Sequence, residues 1–351
     1  MIATGKMLKK RSKYNVAVVG VGAVGIEMLR VLRQRNFPLQ ELRVFARSSR
    51  EIEIDGERYA VKQISPEGFA GIDIALFAGT EGEKGAAVTY AQEAIRRGTL
   101  VIDNGADFRL DPKVPLVVPE VNVRDIKKHK GLIANPNCST IQMVVAIYPI
   151  YKKVGIKRIV VTTLQAASGA GRGAVEQLKE ETTIITGRGF QGLRVNVENK
   201  FLPQQLAFNV FPHIGAFSDF DYTAEEWKLV YETRKIIHDN KIKISATCVR
   251  VPVQTGHSEA IYIETARYLT LDKVRAILSK APGIVVIDEP KDNLYPMPLD
   301  VEGRDEVFIG RIRRDPFSKN GLWLWVVADN LRKGAATNAI QIAECVISNW
   351  K

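Results

Sequence analysis

The sequence predicts two domains, a doubly wound α/β domain followed by an α+β domain with a mostly antiparallel sheet. Its 351 residues exceed the roughly 250 to 300 that a single hydrophobic core usually holds. From Asn15 onward, short apolar strands alternate with helical stretches, which is typical of a parallel sheet covered by helices on both faces. Beyond Cys138 the strands are longer and alternate apolar with polar residues, which indicates an antiparallel sheet with one covered face.

Composition excludes several classes of protein. The chain is 46% hydrophobic and 25% charged, as expected for a folded globular protein. Its longest apolar runs, such as 143–147 and 284–287, are far shorter than the roughly 20 residues of a membrane-spanning helix. Residues 1–15 lack the apolar core of a secretion signal, and three cysteines do not suit an extracellular disulfide framework. We therefore expect a cytoplasmic protein with no membrane partner.

The formal net charge of +11 does not indicate a nucleic-acid partner. Lysine and arginine are spread along the whole chain and form no basic arm or aromatic-interleaved stripe. A protein that handles phosphorylated ligands shows the same bias, because each phosphate needs a cation partner. No Cys/His cluster has the spacing of metal ligands, so we expect no metal.

The strands and helices follow from apolar periodicity. In the first domain, strands are predicted at 15–20, 42–46, 72–79 and 99–105, and helices at 24–35 and 84–97. In the second, alternating strands are predicted at 158–169, 244–253, 257–268, 306–315 and 321–330. The tail at 334–350 has apolar residues three and four apart and predicts a helix.

A glycine-rich turn follows the first strand. Gly20, Gly22 and Gly25 form a G-x-G-x-x-G pattern with Ala23 and Val24, directly between an apolar strand and an amphipathic helix. In this context the glycines let the backbone approach a pyrophosphate, whose charge rests on the helix N-terminus. The pattern predicts a Rossmann-type dinucleotide site, and a purely structural turn is the alternative.

The end of the second strand predicts which dinucleotide is bound. An NAD enzyme usually has an acidic residue here that holds the ribose 2′-hydroxyl group. This chain has Arg47, Ser48, Ser49 and Arg50 instead. Cations and hydroxyl groups suit a 2′-phosphate and therefore NADP, whereas a solvated basic turn is the alternative.

Cys138 is the candidate nucleophile. It follows the short strand at 132–134 and precedes an apolar helical stretch at 141–151, so its sulfur is predicted to lie at a helix N-terminus. The amide groups and dipole of a helix N-terminus favour a thiolate over a thiol. A buried structural cysteine is the alternative, and that interpretation suits Cys248, which lies inside a predicted strand.

His257 is the candidate acid/base. It lies in RVPVQTGHSEA, between two alternating strands. A Cys–His pair is the minimal unit for thiol-based acyl chemistry, although a histidine in this turn could also be simply solvated. His129, His213 and His238 lie in charged or proline-flanked stretches and suit the role less well.

Six segments together resemble the aspartate-semialdehyde dehydrogenase family. They are NPNCST, LQAASGAGRGA, FNVFPHI, YTAEEWKLVYETRKI, RVPVQTGHSEA and WVVADNLRKGAATNAIQIAE. The resemblance covers nearly the whole chain from Asn15, with the motifs in the family's order. It implies reversible NADPH-dependent reductive dephosphorylation of L-4-aspartyl phosphate to L-aspartate 4-semialdehyde, on the way to lysine (through diaminopimelate), threonine, methionine and isoleucine.

The resemblance also implies the organisation of the chain. It places an NADP-binding domain at residues 1–139 and 330–351, with residues 1–14 as an extension. A catalytic and dimerisation domain is expected at residues 140–329. The C-terminal helix is expected to pack on the nucleotide domain, and the protein is expected to form a homodimer or a dimer of dimers.

Site roles follow residue by residue from the resemblance. It makes Cys138 the acylated nucleophile, His257 the acid/base and Gln165 the residue that orients the substrate. Arg250 would bind the substrate carboxylate and Glu225 its amino group.

The remaining roles concern phosphate and cofactor. Arg109, Lys228 and Asn137 would hold the phosphate, and Lys228 lies three residues after Glu225 on one helix face. Arg47 and Ser48 would bind the 2′-phosphate. Ser168, Gly169 and Asn330 would approach the nicotinamide end.

Two departures from the family's pattern and two rival functions remain at this point. Asp103 to Asp107 replaces a serine-rich run, and His213 stands where the family often has glutamine. N-acetyl-γ-glutamyl-phosphate reductase shares the chemistry, but Asn137 and the EEWK segment favour the aspartyl substrate. A non-catalytic dinucleotide-binding redox sensor, with Cys138 oxidised, would have no need of His257.

Overall fold

The computed structural model describes residues 8, 10–79, 85–198 and 200–348. It divides into two compact units, the first comprising residues 1–137 and 334–351 and the second residues 138–333. Most of the N-terminal extension, Lys84 of one predicted helix and the last residues of the predicted tail helix lie outside the described residues. In the described part of the chain, no helix is long and apolar enough to cross a membrane.

The strands, in chain order, are β1 (Tyr14–Val19), β2 (Leu39–Ala46), β3 (Arg50–Ile54), β4 (Glu57–Gln63), β5 (Ile74–Phe77), β6 (Leu100–Asp103), β7 (Leu132–Ala134), β8 (Ile156–Gln165), β9 (Lys243–Arg250), β10 (His257–Thr265), β11 (Ile284–Val286), β12 (Val307–Arg314) and β13 (Gly321–Ala328). The α-helices are α1 (Ala23–Gln34), α2 (Ala86–Arg96), α3 (Pro119–Asn122), α4 (Cys138–Val154), α5 (Arg172–Gly187), α6 (Ala224–Ile237), α7 (Leu271–Leu278), α8 (Pro298–Val301) and α9 (Thr337–Ile347). Short 3-10 turns lie at Pro66–Phe69, Val123–Lys128, Ala167–Ala170, Asp219–Asp221 and Pro290–Asp292, and a π-helical turn lies at Arg332–Ala336.

The described residues of the first unit form a seven-stranded sheet in the order β3-β4-β2-β1-β5-β6-β7. All neighbouring strands are parallel except β3 and β4. Alternate residues of β1 enter different cores, because successive side chains of a strand point to opposite faces. Val16 and Val18 pack with α1 and α9, whereas Ala17 and Val19 pack with α2. The predicted doubly wound α/β architecture is confirmed.

The hairpin β3–β4 was not predicted. It lies between the second and third predicted strands, where the turn Asp55-Gly56 has φ of 52° and 81°. Asp-Gly with two positive φ angles is a strong signal for a tight two-residue hairpin turn. The Asp-Gly dipeptide, with alternating residues on both sides of it, was therefore a sufficient sequence signal for the hairpin.

The C-terminal helix α9 packs within the first unit. Ala336, Ala339, Ile340 and Ala343 share the core that contains one face of β1. Glu344 accepts two hydrogen bonds from the Arg35 guanidinium group, both at 2.8 Å. The tail of the chain thus completes the core of the nucleotide unit.

The described residues of the second unit form a six-stranded sheet in the order β11-β12-β13-β10-β8-β9. Three of its five pairings are antiparallel, and β8–β9 and β11–β12 are parallel. In the register Gln165 pairs with Arg250 at the ends of β8 and β9. Since β10 runs antiparallel to β8, its first residue, His257, lies at the same end of the sheet. Helix α4 packs against this sheet.

Candidate active site

The glycine-rich turn lines a cavity of about 400 Å³ in the first unit. Gly20 has φ of +99°, a left-handed conformation that favours glycine. A Cβ atom on Gly25 would lie 1.9 Å from the Gly20 carbonyl oxygen, so only glycine allows α1 to pack there. Among the residues that the structure describes, none lies within 4 Å of a Cβ atom added to Gly22, and no side chain caps the N-terminus of α1. Ala23 and Val24 open the helix. This geometry fits a pyrophosphate against the helix N-terminus.

Basic residues lie at the rim of the same cavity. Arg47 and Arg50 line it directly after β2, together with Ala46 and Ile64. The Ser48 hydroxyl group accepts a hydrogen bond from Arg50 Nη1 at 3.3 Å. Two guanidinium groups and a hydroxyl group suit a 2′-phosphate ester. The residues present therefore fit NADP.

Cys138 is the first residue of α4 and is half-buried. The amide groups of the first turn and the helix dipole favour negative charge on its sulfur. Cys248, in contrast, is buried in β9, and burial, together with the neighbouring Glu225, raises the pKa of its thiol far above the ordinary value. Of these two cysteines, only Cys138 has the surroundings of a nucleophile.

His257 is fully buried at the start of β10. Its Nδ1 accepts a hydrogen bond from the Ala166 backbone N–H at 3.0 Å, so the proton of a neutral imidazole lies on Nε2. Burial, with a further contribution from the Arg250 charge, lowers the pKa of His257 from 6.5 to about 3. Within the described residues, Nε2 has no hydrogen-bond partner. His257 is thus a neutral imidazole whose Nε2–H makes no hydrogen bond within the described residues.

Arg250 is buried beside His257. Its Nη1 donates to the Ala166 carbonyl oxygen at 2.6 Å. Burial lowers the pKa of Arg250, and the charges of Glu225 and Cys138 act in the opposite direction. A Cβ atom on Gly169 would lie 2.9 Å from His257 Cε1 and 3.2 Å from Arg250 Nη1. The absence of a side chain at Gly169 therefore makes room for both groups.

A hydrogen-bonded chain links β8 to α6. Thr163 donates to Gln165 Oε1 at 3.0 Å, and Gln165 Nε2 donates to Glu225 at 3.1 Å. The other carboxylate oxygen of Glu225 forms an ion pair with Lys228 at 3.3 Å, one turn along α6. These bonds fix the orientation of the Gln165 amide. They also place an anion and a cation side by side at the end of the sheet.

Ser168 and Asn330 meet within the second unit. The Asn330 amide donates to Ser168 Oγ at 3.0 Å, and its oxygen accepts from the Gly256 backbone N–H at 2.9 Å. Both side chains are buried. Asn330 thereby holds the turn before His257 against the turn that contains Ser168 and Gly169.

Arg109 belongs to the first unit, where it is buried. Its guanidinium group donates to the carbonyl oxygens of Asn135 at 2.9 Å and Asn104 at 2.7 Å. The Asn135 side chain donates to Asn104 at 2.7 Å and accepts from Asn338 of α9 at 2.6 Å. Asn137 is also buried and is the last residue of the first of the two segments that form this unit. The asparagines orient Arg109, and sequence reasoning did not find them.

The structure thus separates the predicted site residues into two groups. The first unit holds Gly20, Gly22, Ala23, Val24, Gly25, Arg47, Ser48, Arg109 and Asn137. The second holds Cys138, Gln165, Ser168, Gly169, Glu225, Lys228, Arg250, His257 and Asn330. In the second unit, sequence reasoning also missed the Ala166 backbone and Thr163, because a backbone N–H and a strand threonine carry no recognisable sequence signal.

Comparison with known proteins identifies what this chain resembles. Residues 15–129 match the family model of the semialdehyde dehydrogenase NAD binding domain, and residues 147–333 match that of the semialdehyde dehydrogenase dimerisation domain. Aspartate-semialdehyde dehydrogenase of Aquifex aeolicus is 54% identical over 342 residues, covering 95% of this chain and 98% of that protein.

Solved structures agree with these matches. The crystal structure of aspartate semialdehyde dehydrogenase II from Vibrio cholerae, complexed with ASA, is 42% identical with a TM-score of 0.90, covering 97% of this chain and 100% of that one. The enzyme from Candida albicans, solved with NADP, is 25% identical with a TM-score of 0.71, covering 95% and 98%.

The buried imidazole predicts a pH dependence of stability. The folded pKa of His257 lies below its ordinary value of 6.5, so between pH 6.5 and about 3 the unfolded chain binds a proton that the folded chain does not. This contribution to stability is complete above pH 6.5 and is lost as pH falls. When the pH is lowered from 7 to 5, the free energy of unfolding measured in urea should fall by about 2 kcal/mol more in wild type than in His257→Asn. Equal losses in the two proteins would contradict a neutral buried His257.

The geometry of the glycine-rich turn predicts that alanine has different effects on stability at Gly25 and at Gly22. Gly25→Ala should lower the free energy of unfolding by about 3 kcal/mol or more, because its Cβ would overlap backbone. Gly22→Ala, the matched control, should stay within about 1 kcal/mol of wild type. Gly22→Ala should instead bind the dinucleotide more weakly, as measured by fluorescence titration. If both variants were equally stable, the close packing of α1 on the turn would be wrong.

Proposed function

Because this chain belongs to the aspartate-semialdehyde dehydrogenase family, we propose that it catalyses the reversible, NADPH-dependent reductive dephosphorylation of L-4-aspartyl phosphate to L-aspartate 4-semialdehyde. It is an oxidoreductase that acts on an aldehyde group. The observation that carries the proposal is Cys138 at the N-terminus of α4, in one unit with a neutral His257 and a buried Arg250. Acyl transfer to a thiol uses such a nucleophile, together with a hydrogen-bond donor for the developing oxyanion and, for an anionic substrate, a cation.

The cofactor is NADP. We assign its pyrophosphate to the turn formed by Gly20, Gly22, Ala23, Val24 and Gly25. Arg47 and Ser48 are assigned to the 2′-phosphate, since a carboxylate at this point of the fold would repel it. Ser168, Gly169 and Asn330 are assigned to the nicotinamide end. When bound, NADPH supplies the hydride that reduces the thioester carbonyl group.

The protein's own residues act in two stages. The Cys138 thiolate attacks the acyl phosphate, the C–S bond forms and the C–O bond to phosphate breaks, leaving a thioester. In both stages negative charge develops on the carbonyl oxygen, and the Nε2–H of His257 is a donor suited to stabilise it. After reduction the C=O bond re-forms as the C–S bond breaks, and Cys138 leaves as a thiolate to which the neutral His257 can donate a hydrogen bond through Nε2–H. Gln165, whose amide is held by Thr163 and Glu225, orients the reacting group.

Substrate recognition uses separate charges. Arg250 is assigned to the α-carboxylate, since a guanidinium group can hold a carboxylate through two parallel hydrogen bonds. Glu225 is assigned to the α-amino group. Lys228, Arg109 and Asn137 are assigned to the phosphate.

The family model that matches residues 147–333 describes a dimerisation domain, so the protein assembles as an oligomer. We propose a homodimer or a dimer of dimers in the cytoplasm. Supporting this, large apolar side chains are exposed in the second unit, namely Phe190, Phe201, Phe208, Phe217 and Phe220. Exposed large apolar side chains are a feature of protein–protein interfaces when they form a contiguous patch.

An assay of NADP reduction tests the function. With aspartate semialdehyde, NADP reduction should require inorganic phosphate, which arsenate should replace. Activity with N-acetyl-glutamate semialdehyde alone would support the reductase instead. No turnover with either aldehyde, together with reversible oxidation of Cys138, would support a redox sensor.

Cys138→Ser should lose essentially all turnover while keeping its fold and its affinity for NADP, since a hydroxyl group is a far poorer nucleophile near neutral pH. In wild type, a thiol alkylator should modify Cys138 before the buried Cys248, as judged by peptide mass. Retention of more than about a tenth of the rate by the serine variant would refute covalent catalysis. Faster modification of Cys248 would refute the activation of Cys138 by its helix.

The anion assignments predict opposite effects on two Michaelis constants. Arg250→Ala should weaken the binding of aspartate semialdehyde by on the order of 2 to 5 kcal/mol, because a carboxylate is left unpaired in a desolvated site. The binding of phosphate should change little. Lys228→Ala and Arg109→Ala should raise the constant for phosphate more than that for the aldehyde. Arg250→Lys, the control that keeps the charge, should recover only part of the loss. Equal increases in both constants for all variants would show that the two anion sites are not separate.

A further inference from the structure

Two buried polar side chains beside the site have no role in the mechanism above. Glu259 and Gln142 are both 0% exposed. Within the described residues, neither carboxyl oxygen of Glu259 and neither polar amide atom of Gln142 forms a hydrogen bond of normal geometry. A buried polar group without a hydrogen bond destabilises the fold, so four such atoms are costly unless they serve a function.

Their positions connect them to the two reacting residues. Gln142 lies four residues after Cys138 on α4, which places both on one face of the helix. Glu259 lies two residues after His257 on β10, which places both on one face of the sheet. Helix α4 packs on β10, and Gln142 and Glu259 interact across this contact.

The surroundings favour the neutral form of the Glu259 carboxyl group. Burial raises its pKa well above the ordinary value, and the nearby Gln142 side chain opposes this only in part. The thiol of Cys248 on β9, whose pKa is raised by burial and by the charges of Glu225, Glu226 and Glu259, lies within electrostatic range. Within the described residues, no cation appears among the groups that act on Glu259, so nothing offsets the cost of burying its negative charge.

We propose that Gln142 and Glu259 are positioning residues, which tie α4 to β10 and thereby hold Cys138 and His257 at their working separation. This inference rests on the proposed function, because it assumes that these two residues react. A protonated carboxyl group and a primary amide are complementary. The carboxyl O–H donates to the amide oxygen, and an amide N–H donates to the carboxyl C=O. An ionised Glu259 could form only the second of these bonds.

Three variants test the pair through turnover. Glu259→Leu should lower kcat about ten- to a hundredfold with little change in either Michaelis constant, since misplacement of reacting groups affects chemistry before binding. Glu259→Gln should recover most of the rate, because an amide can replace the neutral acid. The exchange Gln142→Glu with Glu259→Gln should also recover it, since the acid and the amide merely change places.

A double variant separates positioning from stability. Gln142→Leu with Glu259→Leu removes both polar groups and leaves neither one unsatisfied, so its unfolding free energy should equal or exceed that of either single variant. Its kcat should nevertheless stay low. If kcat recovers together with stability, the pair is only structural and the proposal fails.

Alkylation of Cys138 provides a measurement that does not depend on turnover. The pH profile of its alkylation rate should be the same in wild type and Glu259→Gln, because neither carries a charge at this position. A shift of the profile to lower pH in Glu259→Gln would show that Glu259 is ionised and would overturn the proposal. Glu259→Leu with wild-type kcat and alkylation rate would overturn it as well. If wild type alkylates at Cys138 but fails to turn over aspartate semialdehyde, the proposed function fails instead.

Discussion

The hydrogen bond from the Ala166 backbone to His257 Nδ1 is the interaction on which the candidate site depends. It sets the imidazole as an Nε2–H donor, and burial with the neighbouring Arg250 charge keeps that imidazole neutral. The carbonyl oxygen of the same residue accepts a hydrogen bond from Arg250. The backbone of Ala166 therefore holds both His257 and Arg250, and the missing side chain of Gly169 leaves room for both.

The register of the second sheet explains why these groups meet. Strands β8 and β9 are parallel and end together at Gln165 and Arg250, and β10 begins beside them at His257. Farther along the same face the sheet is apolar, with Ile159, Ile261 and Ile263 fully buried. The rigid apolar part orients the polar end without itself touching substrate. Such support is what a reacting geometry with sub-ångström tolerance requires.

Sequence reasoning found what periodicity and motifs encode. The strand and helix around Gly20, the helix that begins at Cys138 and the strand pattern of the second unit could all be predicted, because each depends on neighbours in the chain. The tautomer of His257 could not be predicted, since it depends on a peptide 91 residues away. The asparagines around Arg109 were missed for the same reason. The hairpin β3–β4 and the buried Glu259 were different, because an Asp-Gly turn and an acidic residue at an inward strand position are both visible signals.

The charges around Cys138 explain why a buried, uncharged Glu259 beside Gln142 suits this site. The second unit already brings one carboxylate, Glu225, near the reacting residues, where the cation of Lys228 faces it. A second carboxylate charge two residues from His257 would raise the pKa of that imidazole and oppose a thiolate on Cys138. Burial of Glu259 without a cation opposes such a charge, because it raises the pKa of the carboxyl group and favours its neutral, hydrogen-bonding form. The apolar layer that makes an ionised Glu259 unfavourable thus also preserves the negative charge that the nucleophile needs.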